Sequence, residues 1–346
     1  MKKYSRFIGV DLGDRFSQVC VMDESGAIVE EARVGTESVA LEKFFKKLGE
    51  GKVALETGTH SPWVSRLLEK LGFRVYVANA RKVRLISKNL RKNDRLDAQL
   101  LARLVRFDPE LLAPIYHRGA QAQSDLAVLQ ARDCLVRVRA TLINTVRGLI
   151  KASGGRVAAC AAESFVKRAA AAIPELLRPA LDGLLTTISE LTARIREYDA
   201  QLARLCEDYA ETKLMREIPG VGPITALAFA LIIEDPHRFR KSREIGAYLG
   251  LIPRRDQSGG HDPQLRITKA GSGLMRRLLV NAAHYILGPF APPSALRDWG
   301  LTKAGSGNKA AKKKAIIGVA RKLAVLLHRL WTTGECYEPF LNVAVA

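Results

Sequence analysis

The chain has 346 residues, 47% hydrophobic and 26% charged, which suits two folded domains with a connector and excludes a disordered or fibrous protein. Its five cysteines, Cys20, Cys134, Cys160, Cys206 and Cys336, are scattered and form no CxxC pair, so neither a zinc site nor a disulfide framework is indicated and a reducing cytosol fits. A formal net charge of +20 repels itself unless a polyanion neutralises it, and the usual cytoplasmic polyanion is nucleic acid.

The opening MKKYSRF runs straight into a strand with no apolar leader, and no apolar run reaches the roughly 18 residues of a membrane span. A cytoplasmic protein is expected. Residues 7–12 form a short apolar run broken by Gly13, residues 17–22 alternate in strand fashion, and Asp23-Glu24-Ser25-Gly26 supplies a turn into a third strand over 27–34. A helix is predicted over 38–48, with Leu41, Phe44, Phe45 and Leu48 on one face. A strand over 53–56, a helix over 62–71, a strand over 73–78 and a helix over 95–105 complete the unit. Three consecutive strands, then helix, strand, helix, strand and helix, is the order of the ribonuclease-H-like α/β fold, expected over residues 1–110.

The middle, 111–212, reads as a helical coiled-coil arm. Val128, Ala131, Leu135, Val138, Leu142, Thr145 and Leu149 recur at spacings of three and four, as do Leu184, Ile188, Leu191, Ile195, Tyr198, Leu202 and Leu205. The Gly154-Gly155 and alanine-rich stretch between them reads as the turn of a hairpin, and an arm with a half-covered seam suggests self-association, the alternative being an intramolecular spacer. Residues 213–346 read as a mainly helical domain. In it, residues 218–226, Ile-Pro-Gly-Val-Gly-Pro-Ile-Thr-Ala, have the form of a helix-hairpin-helix element, in which Gly220 and Gly222 let backbone N–H groups approach a phosphate. The plainer alternative is a Gly-Pro turn between packed helices. A polar loop is predicted over 253–273.

The charge is clustered. Residues 81–106 carry nine Lys and Arg, among them Arg81, Lys82, Arg84, Lys88, Arg91 and Lys92, against two acids. Residues 299–334 carry eight and no acid, with Lys312, Lys313 and Lys314 adjacent. These are candidate phosphate-contacting faces. Four acids fall where the first fold would converge them: Asp11 on the first strand, Glu56 at the end of the fourth, and Asp94 and Asp97 three apart at the start of the last helix. Four converging carboxylates require divalent cations, and two Mg²⁺ roughly 4 Å apart would serve an in-line phosphoryl transfer. Singly each has a structural reading, Asp94 as a helix N-cap for example; their joint placement points to catalysis.

The segments Ile8-Gly9-Val10-Asp11, Leu55-Glu56-Thr57-Gly58-Thr59 and Lys92-Asn93-Asp94-Arg95-Leu96-Asp97-Ala98 resemble the Asp-Glu-Asp-Asp motifs of bacterial insertion-sequence transposases with a RuvC-like domain. Ile218-Pro219-Gly220-Val221-Gly222, residues 247–260 and Arg266-Ile267-Thr268-Lys269-Ala270-Gly271 resemble the C-terminal domain of the same family. The resemblance implies a Mg²⁺-dependent recombinase, with Mn²⁺ able to substitute, whose catalytic serine, here Ser258, links transiently to DNA. Ser272 is a rival. It further implies a structured noncoding guide RNA that pairs with donor and target DNA, a homo-oligomer from dimer to tetramer, and phosphate contacts that include Arg254, Arg255, Arg266 and Lys269. Because the carboxylates and Ser258 fall in different domains they must be brought together, either between protomers or within one chain. Two other readings remain open: a structure-selective nuclease using water as nucleophile, and a non-catalytic architectural DNA-binding protein.

Overall fold

The computed structural model describes residues 4–80, 93–260, 262–263, 265–305 and 307–340. The chain divides into two compact units, Met1–Gly119 and Ala120–Ala346. The first holds a five-stranded sheet of β1 (Phe7–Asp11), β2 (Phe16–Met22), β3 (Ile28–Gly35), β4 (Lys52–Glu56) and β5 (Arg74–Ala78), in the order β3-β2-β1-β4-β5. The first three strands pair antiparallel, and β1, β4 and β5 pair in parallel. The helices are α1 (Ser38–Leu48), α2 (Ser61–Lys70) and α3 (Asp94–Phe107). The elements expected from sequence over 7–78 and 95–105 are all present, with ends shifted by at most two residues.

Strand periodicity sorts the core into two layers. Ile8, Val10, Val19, Val21, Val53 and Leu55 face Leu41, Phe45, Val64 and Leu68 of α1 and α2. The opposite face presents Phe7, Cys20, Met22 and Ala54 to Ala98, Leu101, Ala102 and Val105 of α3. Gly9 pairs with Cys20 on one side and Ala54 on the other, so the middle of the α3 face is a row of small residues. A Cβ on Gly9 would lie 1.9 Å from the Ala98 carbonyl oxygen and 2.5 Å from the Ala102 nitrogen, so the helix backbone rests directly on the strand.

The second unit is helical: α4 (Ala120–Ala152), α5 (Phe165–Ala170), α6 (Arg178–Glu207), α7 (Thr212–Arg216), α8 (Pro223–Ile233), α9 (Glu244–Tyr248), α10 (Gly273–Ile286), α11 (Ala295–Ala304) and α12 (Lys309–Thr333). Helices α4 and α6 run antiparallel, as the contacts Arg132 Nε to Asp199 Oδ1 (2.7 Å) and Arg139 Nη1 to Thr192 Oγ1 (3.2 Å) require. On α6 three of the seven expected seam positions, Ile188, Ile195 and Leu202, are buried, and Leu181, Leu185, Thr192 and Cys206 are buried with them. On α4 the seam needs correction. The buried positions are Asp125, Leu126, Leu129, Arg139, Ile143, Val146 and Ile150, whereas Val138 and Leu149 are exposed. The seam lies a step to one side because it contains Arg139, which donates to Thr192 and Glu163 and leaves no mark in a hydrophobic pattern. Helix α8 is buried from Thr225 to Ile233, apolar on every side, and forms the centre of this unit with α10 and α12 around it.

The closeness of α3 to β1 is testable. Gly9→Ala pushes a methyl into helix backbone that cannot swing aside, and should cost about 3 kcal/mol or more, the upper range for overpacking. Gly58→Ala, with nothing within 4 Å of the added Cβ, should stay within about 0.5 kcal/mol of the parent. Urea unfolding of both variants checks the contrast.

Candidate functional site

The strand registers set the positions of the first two carboxylates. Val10 pairs with Leu55 in parallel, so Asp11 and Glu56 end adjacent strands side by side. Asp11 lies two residues beyond Gly9 and Glu56 two beyond Ala54, which puts both on the α3 face. Helix α3 runs antiparallel to β1: Arg106 Nη1 donates to the Glu24 carbonyl beyond the N-terminal end of β1, while Ala98 and Ala102 cover Gly9. Its first turn, with Asp94 and Asp97, therefore lies toward the Asp11 end. Asp97 is buried and Asp94 exposed. The N-cap is Asn93, whose side chain accepts from the Arg95 N–H at 3.0 Å, so capping does not account for Asp94. Among the described residues no three His, Cys, Asp or Glu side chains form a group that could hold a metal ion.

Neighbouring contacts hold this corner. Glu31 continues the row through Cys20 and Gly9, and accepts from Arg95 Nε at 2.9 Å and Gln99 Nε2 at 2.7 Å. Those two bonds, Arg95 first, hold the Glu31 carboxyl at about 2, well under the ordinary 4.5. Burial, reinforced by Glu31, pushes the Cys20 thiol up to about 11. After Glu56, the Thr57 N–H and Oγ1 both donate to the Ala78 carbonyl, at 3.1 and 2.6 Å. Ser61 accepts from the Gly58 N–H at 3.0 Å and shares a 2.9 Å hydrogen bond with His117 Nε2. Burial, then the charges of Arg66 and Arg118, hold His117 below the usual histidine range. This brace on the Glu56 turn was not anticipated from sequence, because Ser61 and His117 lie far apart along the chain.

In the second unit the predicted polar loop is a short antiparallel hairpin. Pro253 bridges Ile267, the Arg254 N–H donates to the Arg266 carbonyl and the Thr268 N–H to the Ile252 carbonyl, each at 2.9 Å. Its base is a tight crossing. A Cβ on Gly250 would sit 2.2 Å from the Ala270 nitrogen, and one on Gly271 2.2 Å from the Tyr248 oxygen, both at positive φ. The Arg276 guanidinium caps the carbonyls of Leu249, Ala270 and Gly271 there. Ser258 is exposed near the far end of the hairpin. Ser272 instead caps α10, accepting from the Met275 N–H at 3.2 Å.

Arg254 and Arg255 are exposed on the hairpin, and Arg255 pairs with Asp262 at 3.3 Å. Arg266 and Lys269 meet Lys313 and Lys314 of α12 around a groove of about 500 Å³, joined by Arg321. Lys312 is exposed on the same turn. Arg321 was missed from sequence, although it lies seven residues after Lys314 and hence on the same helix face. A second crevice gathers Arg243, Arg321 and Lys322. Burial, then the charges of Arg321 and Arg243, hold the Lys322 ammonium below the usual lysine range. Gly220, at φ +92°, packs its turn on α10, where an added Cβ would meet Tyr285 at 2.9 Å; Gly222 begins α8 with open space around it. Arg81, Lys82, Arg84, Lys88, Arg91 and Lys92 lie outside the described residues. No helix among the described residues is long and apolar enough to cross a membrane.

Both units match known protein families. A DEDD transposase model of the IS110 type matches residues 8–153, and the model of the transposase IS116/IS110/IS902 family matches residues 212–295. A probable family 20 transposase of Pseudomonas aeruginosa is 30% identical over 346 residues, covering 96% of this chain and 98% of that protein. The transposase for insertion sequence element IS1111A of Coxiella burnetii is 27% identical over 345 residues, with 96% and 91% covered. A putative transposase of Sinorhizobium fredii is 31% identical over 303 residues, with 86% and 76% covered.

The Glu31 contacts yield a pH signature. A carboxyl depressed in the folded state stabilises fully above its unfolded value, and the contribution is lost as pH falls through the folded one. Glu31→Gln should therefore lower the urea midpoint most above about pH 4.5, and the gap to the parent should close as pH falls toward 2. Amide exchange over residues 94–99 should rise in the variant over the same upper range.

Proposed function

From the membership of this chain in the IS116/IS110/IS902 family of transposases, we propose that it moves an insertion sequence by metal-dependent DNA cleavage, exchange and rejoining through a phosphoserine link. The observation that carries this reading is the placement of Asp11 and Glu56 on neighbouring strand ends, on the face covered by the helix bearing Asp94 and Asp97. These donors are all carboxylate oxygens, with no thiolate or imidazole, which suits a hard cation such as Mg²⁺, with Mn²⁺ as a substitute. Asp11, Glu56, Asp94 and Asp97 would hold the ions. Bound there, a pair of such ions supplies charge compensation for the entering and leaving oxygens of an in-line phosphoryl transfer.

Ser258 acts as the nucleophile. Its Oγ gives up a proton and bonds to phosphorus as the bond from phosphorus to one sugar oxygen breaks, and the released sugar hydroxyl takes a proton. Attack by the hydroxyl of a second strand reverses the step and rejoins DNA without ATP, because the phosphoester energy is retained in the serine link. Exposure on the hairpin suits this role, and the capping duty of Ser272 weighs against the rival. A structured RNA from the element pairs with donor and target DNA and selects the sequence, leaving shape and phosphates to the protein. The phosphate contacts are Gly220, Gly222, Arg254, Arg255, Arg266, Lys269, Lys312, Lys313 and Lys314, with Arg81, Lys82, Arg84, Lys88, Arg91 and Lys92 contributing from the first unit. Protomers associate as dimers and tetramers through the α4–α6 hairpin.

Incubation with element-end DNA, its RNA and Mg²⁺ should give a protein–DNA adduct resistant to SDS and lost on protease treatment. Peptide mapping should place the link between Arg255 and Arg266. Asp11→Asn, Asp97→Asn and EDTA should each cut the yield by on the order of 10⁴, as removal of a catalytic group does. Ser258→Ala should abolish adduct and strand exchange together, and Ser272→Ala should retain both. Strand cutting that survives in Ser258→Ala would replace this reading with hydrolysis by water.

A further inference from the structure

The groove between the hairpin and α12 has a composition that phosphate contact alone does not explain. Its rim carries Arg266 and Lys269 from the hairpin and Lys313, Lys314 and Arg321 from α12, with no acid among the described lining residues. Its floor is aliphatic: Leu251, Pro253, Leu265 and Ile267 on one side, Ile317 on the other. Leu265 is 36% exposed, although it belongs to an apolar lining. Lys269 holds a left-handed backbone, φ +56°, that non-glycine residues seldom adopt and that a surrounding structure must impose.

We propose that this groove binds an unpaired nucleic-acid strand, its phosphates on the cationic rim and its sugars and base faces on the aliphatic floor. The proposal rests on the nucleic-acid reading above and goes beyond it by naming the form of nucleic acid. Paired DNA turns its charged backbone outward, and pressing phosphates onto leucine and isoleucine strips their water for no return. An unpaired strand exposes the apolar faces that a duplex keeps stacked. Among the described residues the floor carries neither an aromatic ring nor a hydrogen-bonding side chain beyond the rim cations, so the binding proposed is indifferent to base identity. Pro253 and residues 265–267 are the two legs of the hairpin that bears Ser258. A strand lying in the groove is thus held within about 16 Å of that hydroxyl, five residues at ~3.3 Å each.

The test compares a short labelled single-stranded oligonucleotide of mixed sequence with its duplex, in EDTA so that no cleavage intervenes, over a range of salt. Ile317→Ser should weaken single-strand binding about tenfold without changing the salt slope, equivalent to ~1.4 kcal/mol. Leu265→Ser, on the opposite wall, should do the same, so that misfolding of one variant does not decide the matter. Lys313→Ala should lower the single-strand slope by about 0.7, the value for one phosphate contact. Duplex binding should hardly change in the two floor variants. Equal losses on both forms, or none on either, would overturn the groove assignment while leaving the transposase reading intact. Failure of the parent protein to bind either form would instead remove the nucleic-acid reading itself. Ile317→Cys supplies an independent readout: single strand should slow its alkylation by a maleimide. Protection produced by raising protein concentration alone would assign the groove to a second copy of the chain and overturn the proposal.

Discussion

The first unit depends on one close approach, the backbone of α3 on Gly9. A helix normally stands off a sheet by the length of two side chains. Here Cys20, Gly9 and Ala54 make a shallow channel across three strands, and Ala98 and Ala102 settle into it. A helix seated that closely has little freedom to slide or roll. Its first turn is therefore set along the strand direction by packing at its middle, and laterally by the Arg95 and Gln99 bonds to Glu31. The strand ends bearing Asp11 and Glu56 and the first turn of α3 lie toward the same end of the sheet because of contacts made some residues away from them.

The second unit solves a different problem. It has no sheet, and its organising element is α8, whose residues from Thr225 to Ile233 are all buried. Around so greasy a centre the surrounding helices turn their charge outward, and α12 does so most openly, with three consecutive lysines in its second turn and buried leucines farther along. The basic surface is thus the outer side of the packing that builds the core. It needs no further scaffold.

The sheet and its helices were legible in the sequence because each strand is short, strongly apolar and bounded by turn residues, and because each helix shows its apolar face at the right spacing. Asp11, Glu56, Asp94 and Asp97 stood out because they fall at strand ends and in the first turn of a helix. What the sequence hid was of two kinds. A buried charge such as Arg139 interrupts the hydrophobic rhythm and shifts the apparent seam of α4, since it is kept inside by partners, Thr192 and Glu163, that only the folded chain brings near. The second kind is contact between distant segments: Ser61 with His117, and the hairpin with α12. Arg266 and Lys313 were each visible as cations, but nothing along the chain says that they face each other across leucine and isoleucine.

The base of the hairpin has a consequence for how this protein can vary. Gly250 and Gly271 cross within a distance that tolerates no side chain, and Arg276 ties three carbonyls at the same point. Toward the far end the residues from Arg254 to Gly260 are exposed. Chain length is therefore cheap to alter at one end and costly at the other, since doubling a flexible loop adds only about 0.6 kcal/mol of closure entropy. An insertion near the tip would lengthen the reach of the finger while its knuckle kept the same seat on α10. Reach and anchorage are separately adjustable, and a change in where the tip is placed would demand no rebuilding of the domain that carries it.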